Sequence, residues 1–285
     1  MMDRPDDDSV PKCTKKENTT VAMGGKITLE RFAGKAKDGE MDMELGEDAR
    51  VDGRKIKKIK LRKRDKYAKD YARRDITEYR KGYPEQRDVK TMRKNLQFYN
   101  NKIQSSPNGA YIDTMLEEWH GDYKRLEQHH GYIQWLFPIR ERGMNWEAQE
   151  LQKFEAEAIK RDPNTHGRVL KAYKMMLHFY GMKLIDETET TDGRIERHDN
   201  WELRFQNLNR STHNYLRITR ILKSLGELGF EDLKMPFVKF ILHEALIEQT
   251  LDNTIDSCLH FWLETIKNKE HRQILKQFVK KYVEE

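Results

Sequence analysis

His243 and Glu244 are the residues whose spacing comes closest to a catalytic motif in this chain of 285 residues. A zinc-protease helix carries a second histidine four residues after the first, because two imidazoles on one face bind the metal while the glutamate acts as a base. Position 247 is Ile, so one ligand is missing. We interpret the pair as a partly exposed helix turn and predict no metal site.

Other motifs for catalysis or cofactor binding are missing from the sequence. It contains no G-x-G-x-x-G or Walker-type loop for phosphates and no G-x-S-x-G turn for a nucleophilic serine. His129 and His130 are adjacent, so they point in different directions on a helix. Cys13 and Cys258 are isolated and offer no C-x-x-C pair for zinc. We therefore predict that the protein is not an enzyme and uses no cofactor.

An apolar run at Tyr132–Pro138 (YIQWLFP) does not follow the regular helical pattern, and Arg140 and Glu141 come directly after it. One interpretation is a buried connector between helices. The other is a groove that receives a small partner, since apolar sites with a few charges at the rim suit peptides. For the second interpretation, the candidate ligand-binding residues are Trp135, Phe137, Arg140 and Glu141.

A dense basic segment lies at residues 54–74, with 12 basic and 2 acidic side chains. Its residue types favour helix, and a solvated charged helix is the simplest interpretation. Such clusters also serve nuclear import or the binding of polyanions, and contact with anionic lipid is a further option. The residues predicted for nuclear targeting or polyanion binding are Lys57, Lys58, Arg62, Lys63 and Arg64.

From about residue 95, apolar residues recur with the helical period, as in Ile112, Met115, Trp119 and Tyr123. The sequence predicts a helix from a cap at Asn145 to about Lys160, and another that starts at Asp162–Pro163. Residues 186–198 are polar and predict a loop. We expect an all-α, multi-helix bundle over residues 95–285, preceded by a disordered tail at 1–53 and a basic, partly helical segment at 54–94.

Two cysteines in the whole chain fit a reducing compartment, and the first residues show neither a secretory signal nor an apolar stretch. The longest run without Asp, Glu, Lys or Arg extends from Gln128 to Ile139, whereas a membrane span needs about 20 mostly apolar residues. We therefore predict an intracellular protein without a transmembrane span.

Several stretches together resemble one family, the opioid growth factor receptors and their receptor-like paralogues. The stretches are Asn95–Tyr99 (NLQFY), Ser106–Gly109 (SPNG), Tyr132–Pro138, Ala172–Leu177 (AYKMML) and Asn214–Gly229 (NYLRITRILKSLGELG). They occur in order within residues 95–283.

The resemblance implies intracellular binding of methionine-enkephalin, the opioid growth factor, and negative regulation of cell growth. It also implies a location at the nuclear envelope, in the perinuclear cytoplasm and in the nucleus, with peripheral membrane association. The basic segment, and not the resemblance, indicates nuclear import machinery as a partner. An enkephalin carries a free amine, two aromatic rings and a methionine, so Glu141 near Trp135 and Phe137 is the expected site. The alternative is a nuclear adaptor or scaffold, targeted by its basic segment and contacting nucleic acid.

Overall fold

Helices make up most of the chain that the structure describes, which confirms the all-α prediction. The computed structural model describes residues 74–185 and 193–284, together with the paired backbone of residues 50–51, 54–55 and 59–60. The helices are α1 (residues 74–80), α2 (Lys94–Tyr99), α3 (Ile112–Glu118), α4 (Tyr123–Gln128), α5 (Ile133–Leu136), α6 (Lys153–Arg161), α7 (Pro163–Phe179), α8 (Trp201–Arg210), α9 (His213–Glu227), α10 (Lys234–Leu246), α11 (Ile255–Ser257) and α12 (Lys269–Lys280). The strands are β1 (Arg50–Val51), β2 (Arg54–Lys55), β3 (Ile59–Lys60), β4 (Met182–Ile185), β5 (Arg194–Arg197) and β6 (Val283–Glu284).

Helix α7 begins where the sequence predicts. The Asp162 carboxylate accepts hydrogen bonds from the amides of Asn164 and Thr165, both at 3.2 Å, and Pro163 occupies the first helical position. These bonds satisfy amides that lack partners at a helix start. The helix buries Val169, Tyr173 and Met176 on its inner face. Together with α9 and α10, it forms the centre of the core.

The predicted start of the preceding helix at Asn145 is wrong. Helix α6 begins at Lys153, where Gln152 and Glu155 form a reciprocal capping box. The Asn145 amide group instead donates to the backbone carbonyls of Ser106 and Gly131, at 2.6 and 3.3 Å. Asn145 therefore fixes a non-helical loop between two distant parts of the chain.

The predicted loop at 186–198 is also wrong at its C-terminal end. Strand β5 pairs antiparallel with β4, with Met182 opposite Arg197 and Ile185 opposite Arg194. Met182 and Ile195 are buried. The hairpin docks on α10 through Arg197, whose guanidinium donates two hydrogen bonds to the Glu244 carboxylate, at 2.8 and 2.6 Å.

Four residues of the basic segment form strands, where the residue types favour helix. Arg54–Lys55 pairs antiparallel with Arg50–Val51, and Ile59–Lys60 pairs in parallel with Val283–Glu284. Residues 74–80, at the end of this segment, are helical. The predicted tail at 1–53 lies outside the described residues, apart from the backbone of 50–51.

The last part of the bundle is helical with changing pitch. After α11, Cys258–Trp262 forms a π-turn and Leu263–Thr265 a 3₁₀ turn. Trp262 is fully buried, and its indole donates to Tyr215 O at 3.2 Å and to Thr219 Oγ1 at 3.1 Å. Trp119 is buried as well, as its place in the helical pattern predicts. Trp201 is half-buried beneath Arg197, whose guanidinium carbon lies 4.2 Å from the ring centroid.

Candidate functional site

Two of the predicted ligand-binding residues, Trp135 and Phe137, belong to the core. Their side chains are 1% and 0% exposed. The Trp135 indole donates to the Ser106 carbonyl at 2.9 Å, and its ring lies 5.4 Å from that of Phe98. In this conformation neither ring reaches the surface. The run Tyr132–Pro138 is a buried connector, as the first of the two interpretations expects.

The other two predicted residues, Arg140 and Glu141, hold the chain that precedes the bundle. The Arg140 guanidinium donates to the carbonyls of Gly82 and Gln86, at 3.3 and 3.1 Å. The Glu141 carboxylate accepts from Lys223 Nζ at 2.7 Å and from the Tyr83 hydroxyl. The carboxylate expected to receive a peptide amine is therefore already paired with a lysine and a tyrosine.

Directly after these residues, two large apolar side chains extend into solvent. Met144 is 94% exposed and Trp146 is 77% exposed. We call residues 142–147 the Trp146 loop. A tryptophan left in water offers a large binding area at small entropic cost, because only two side-chain torsions must be fixed on binding. The neighbouring methionine adds a flexible, polarizable contact.

The Trp146 loop is held by partly buried polar contacts. The Asn145 backbone amide donates to Gln134 Oε1 at 2.8 Å, and the Glu147 amide donates to Asn145 Oδ1 at 3.1 Å. The Asn145 side chain also bonds the carbonyls of Ser106 and Gly131. At Gly143, a Cβ atom would lie less than 3.0 Å from the Gln134 side chain, so glycine permits this close approach. The exposed Trp146 is thus presented on a fixed backbone.

The sequence did not predict Met144 and Trp146 as site residues. Interpreting Asn145 as a helix cap places Trp146 inside a helix, where an aromatic residue is expected to face the core. The sequence did contain one sign that this stretch is not helical. Met144, Trp146 and Glu147 follow Gly143 without the three- and four-residue spacing of apolar residues that marks one face of a helix.

Other polar side chains with the chemistry of catalytic or metal-binding groups have structural partners. Glu244, in the protease-like pair, binds Arg197, as described above. His178 stacks on His120, with ring centroids 4.4 Å apart, and touches His198 edge-on at 4.4 Å. Burial, followed by the charge of His120, lowers the pKa of His178 to about 4. Among the described residues, no group of three or more His, Cys, Asp or Glu side chains is placed to hold a metal ion.

The predicted nuclear-targeting or polyanion-binding residues all lie outside the described residues. They are Lys57, Lys58, Arg62, Lys63 and Arg64. Their role stays a prediction from the sequence.

Comparison with known proteins assigns the bundle that carries the Trp146 loop. The model of the "Opioid growth factor receptor (OGFr) conserved region" matches residues 88–285. The chain belongs to the opioid growth factor receptor family. Opioid growth factor receptor-like protein 1 of Mus musculus is 51% identical over 214 residues, which is 74% of this chain and 45% of that protein. The corresponding protein of Xenopus tropicalis is 46% identical over 213 residues, 73% of this chain and 40% of its own length.

The opioid growth factor receptor of Homo sapiens is 44% identical over 209 residues, which is 73% of this chain and 30% of the human protein. The chain thus spans less than half the length of the curated relatives it matches. No solved structure matches it. Within the part of the chain described here, every helix is too short or too polar to cross a membrane. The family is named for a receptor.

Proposed function

We propose that this chain is a non-catalytic binding protein for an enkephalin-type peptide, and that it takes part in growth regulation through this ligand. The proposal is supported by the receptor name of the family and by one structural observation. That observation is the exposed Trp146, whose backbone is held by the hydrogen bonds of the neighbouring Asn145 to Gln134 and Ser106. Interfaces commonly depend on a few such aromatic anchors.

The chemistry of the ligand suits the surface of the Trp146 loop. An enkephalin offers two aromatic rings and a methionine, which can pack on Trp146 and Met144. Its free amine requires a carboxylate, and the half-buried Glu147 follows Trp146 directly. Of the residues predicted from the sequence, Trp135 supports the loop from beneath by bonding the same Ser106 carbonyl as Asn145. We therefore move the proposed contact surface from Trp135, Phe137, Arg140 and Glu141 to Met144, Trp146 and Glu147.

A titration of the purified chain with fluorescently labelled methionine-enkephalin tests this function. We expect saturable binding that Trp146→Ala abolishes. The matched control is Leu203→Ala, which removes another large apolar side chain, 72% exposed on α8, and should leave binding unchanged. If the unaltered chain fails to bind at high micromolar peptide, the proposed function is wrong. If it binds and Trp146→Ala binds equally well, the function stands and the site is wrong.

A second candidate function is that of a nuclear adaptor delivered by the basic segment. The net charge of +10 over residues 54–74 favours it. We propose a perinuclear and nuclear location, with import machinery as the partner of this segment. Neutralising Lys57, Lys58, Arg62, Lys63 and Arg64 should then abolish nuclear accumulation of a tagged chain.

The matched control for this change neutralises five exposed lysines of the bundle. They are Lys153, Lys171, Lys269, Lys280 and Lys281. If the first variant still accumulates in the nucleus, or if the control loses nuclear accumulation to the same extent, the basic segment is not the targeting signal. Contact with nucleic acid is tested separately by adding polynucleotide to the purified chain, because such binding weakens steeply with salt.

A further inference from the structure

Residues 74–83 lie in a groove of the bundle and are attached to it mainly by side chains. We call them the α1 segment. Ile76 and Tyr79 are buried on one face of helix α1, and Tyr83, which follows the turn after this helix, is buried as well. The match to the family begins only at residue 88. The segment therefore precedes the residues that the family model matches, and its side chains bond residues within that match.

The groove has a built site for the Tyr79 side chain, which is fully buried. Lys234 Nζ donates to the Tyr79 hydroxyl at 2.5 Å. The ammonium groups of Lys234 and Lys267 each lie 4.8 Å from the ring centroid. Burial, and then the nearby Glu231, raises the pKa of Tyr79, so the hydroxyl stays neutral. We call the residues that surround this ring or bond its neighbours Asp75, Arg80 and Tyr83 the tyrosine groove. It comprises Glu141, Lys223, Gly226, Glu231, Lys234, Glu264 and Lys267.

Gly226 of α9 shapes the floor of the tyrosine groove. A Cβ atom here would lie less than 3.0 Å from the Tyr79 hydroxyl and from Lys234 Nζ. Glycine in the interior of a helix is less favourable than alanine. The missing side chain leaves the space in which the tyrosine hydroxyl meets the lysine.

The two ends of the α1 segment carry charges that match the groove. Asp75 accepts from Lys223 Nζ at 2.7 Å. Arg80 pairs with Glu264 at 2.5 Å. Tyr83 donates its hydroxyl to Glu141. Acidic, aromatic and basic side chains of the segment thus each meet their complement, which sets both its register and its direction.

The buried lysines of the groove keep partners of their own when the α1 segment is disregarded. Lys223 still pairs with Glu141, at 2.7 and 2.9 Å. Lys234 still pairs with Glu231 at 2.6 Å and bonds the Thr265 carbonyl at 3.0 Å. A buried charge left alone is strongly destabilising, and here departure of the segment leaves none. The connection after the segment, residues 84–87, is exposed.

We infer that the tyrosine groove is a binding site for peptides of the pattern Asp-Ile-x-x-Tyr-Arg-x-x-Tyr, with a short helix through the arginine and a turn before the last tyrosine. The chain's own residues 75–83 fill this site, and a partner segment with a helix of the same chemistry can replace them. Such a helix binds through one face, as amphipathic helices do in other grooves. This inference does not depend on the enkephalin proposal, which concerns the Trp146 loop.

The test uses the full chain with a protease recognition sequence inserted between Pro84 and Glu85. After cleavage and separation of the N-terminal fragment, a fluorescent peptide of residues 74–84 (RDITEYRKGYP) is titrated in. We expect saturable uptake by the cut protein and little uptake by the uncut protein, whose groove is filled by its own segment. A Tyr79→Ala peptide should bind at least about tenfold more weakly, as loss of a buried anchor requires. The matched control is a Glu78→Ala peptide, altered at an exposed position, which should bind like the original.

Two outcomes would overturn the inference. In one, cleavage abolishes cooperative unfolding of the bundle, which would show that the α1 segment is an inseparable part of the core. In the other, the cut protein stays folded and neither the peptide nor its variants bind. Competition by methionine-enkephalin is measured alongside, and we expect none because the two surfaces are different.

Discussion

Two tryptophans eleven positions apart have opposite surroundings, and this difference can be measured. Trp135 is buried with a bonded indole, so Trp135→Ala should lower the free energy of unfolding by about 3–5 kcal/mol. Trp146 is mostly in water, so Trp146→Ala should change that free energy by no more than about 0.5 kcal/mol. Urea unfolding of both variants measures these two changes in the free energy of unfolding. Comparable losses would mean that Trp146 is also buried in solution.

The sequence could not separate these two residues, because residue types alone do not show which tryptophan the folded chain buries. Helical period identifies which residues share a face when a helix exists. Around Trp146 the structure is decided by Asn145, whose side chain bonds the carbonyls of Ser106 and Gly131. The bonded residues are 39 and 14 positions apart in the sequence, so no local sequence pattern predicts these contacts.

The same asparagine gives a second prediction at the residue scale. Asn145→Ala removes the hydrogen bonds that fix the Trp146 loop, so its backbone amides should exchange with solvent faster while α7 keeps its protection. The loss in stability should be about 1–3 kcal/mol, since partly buried carbonyls lose their donor. Asn164→Ala, at an exposed position of α7, is the matched control. Equal exchange rates at residues 142–147 in both variants would show that the loop is held by other contacts.

Among the elements, the β4–β5 hairpin depends on one buried carboxylate. Glu244→Gln should weaken its attachment to α10 by about 1–2 kcal/mol, because the fork of Arg197 then faces a neutral amide. Glu248 lies 3.7 Å from the same arginine and is more exposed, so Glu248→Gln is the matched control and should change stability by less than about 0.5 kcal/mol. Thermal unfolding and hydrogen exchange at 182–185 and 194–197 measure both. A larger effect of Glu248→Gln would contradict the assignment.

This hairpin also shows where prediction from sequence reaches its limit. Strand β5 reads Arg-Ile-Glu-Arg, with Ile195 as its one buried residue. Four polar-rich residues carry too little alternation to be distinguished from a loop. The long helices were predictable because each repeats its apolar stripe several times. The cap at Asp162–Pro163 was predictable because it acts within its own turn.

For the whole molecule, the helical class followed from the sequence, whereas the place of the α1 segment did not. Ile76, Tyr79 and Tyr83 stand beside a dense run of charges, which suggests a solvated helix. They are buried because Lys223, Lys234 and Glu141, far along the chain, supply complementary partners. Charge complementarity between distant segments is a property of the assembled bundle.

The assembled bundle also fixes how its stability responds to pH. Burial lowers the pKa of His178 from 6.5 to about 4, and it lowers the pKa values of His213 and His243 as well. Between pH 4 and 6.5 the unfolded chain therefore binds more protons than the folded chain at His178. The free energy of unfolding should accordingly be fully retained above pH 6.5 and fall as the pH is lowered through this window.

We expect a loss of about 1 kcal/mol from His178 between pH 7 and pH 5, since the ring is partly solvated and its shift must be discounted. His178→Phe keeps an aromatic ring against His120 and Tyr123 but cannot be protonated. Urea unfolding at the two pH values should give this variant a smaller difference than the unaltered chain, with near-equal stability at pH 7. If the difference is unchanged, protonation of other groups governs the response, and the cluster of His120, His178 and His198 is open to water in solution.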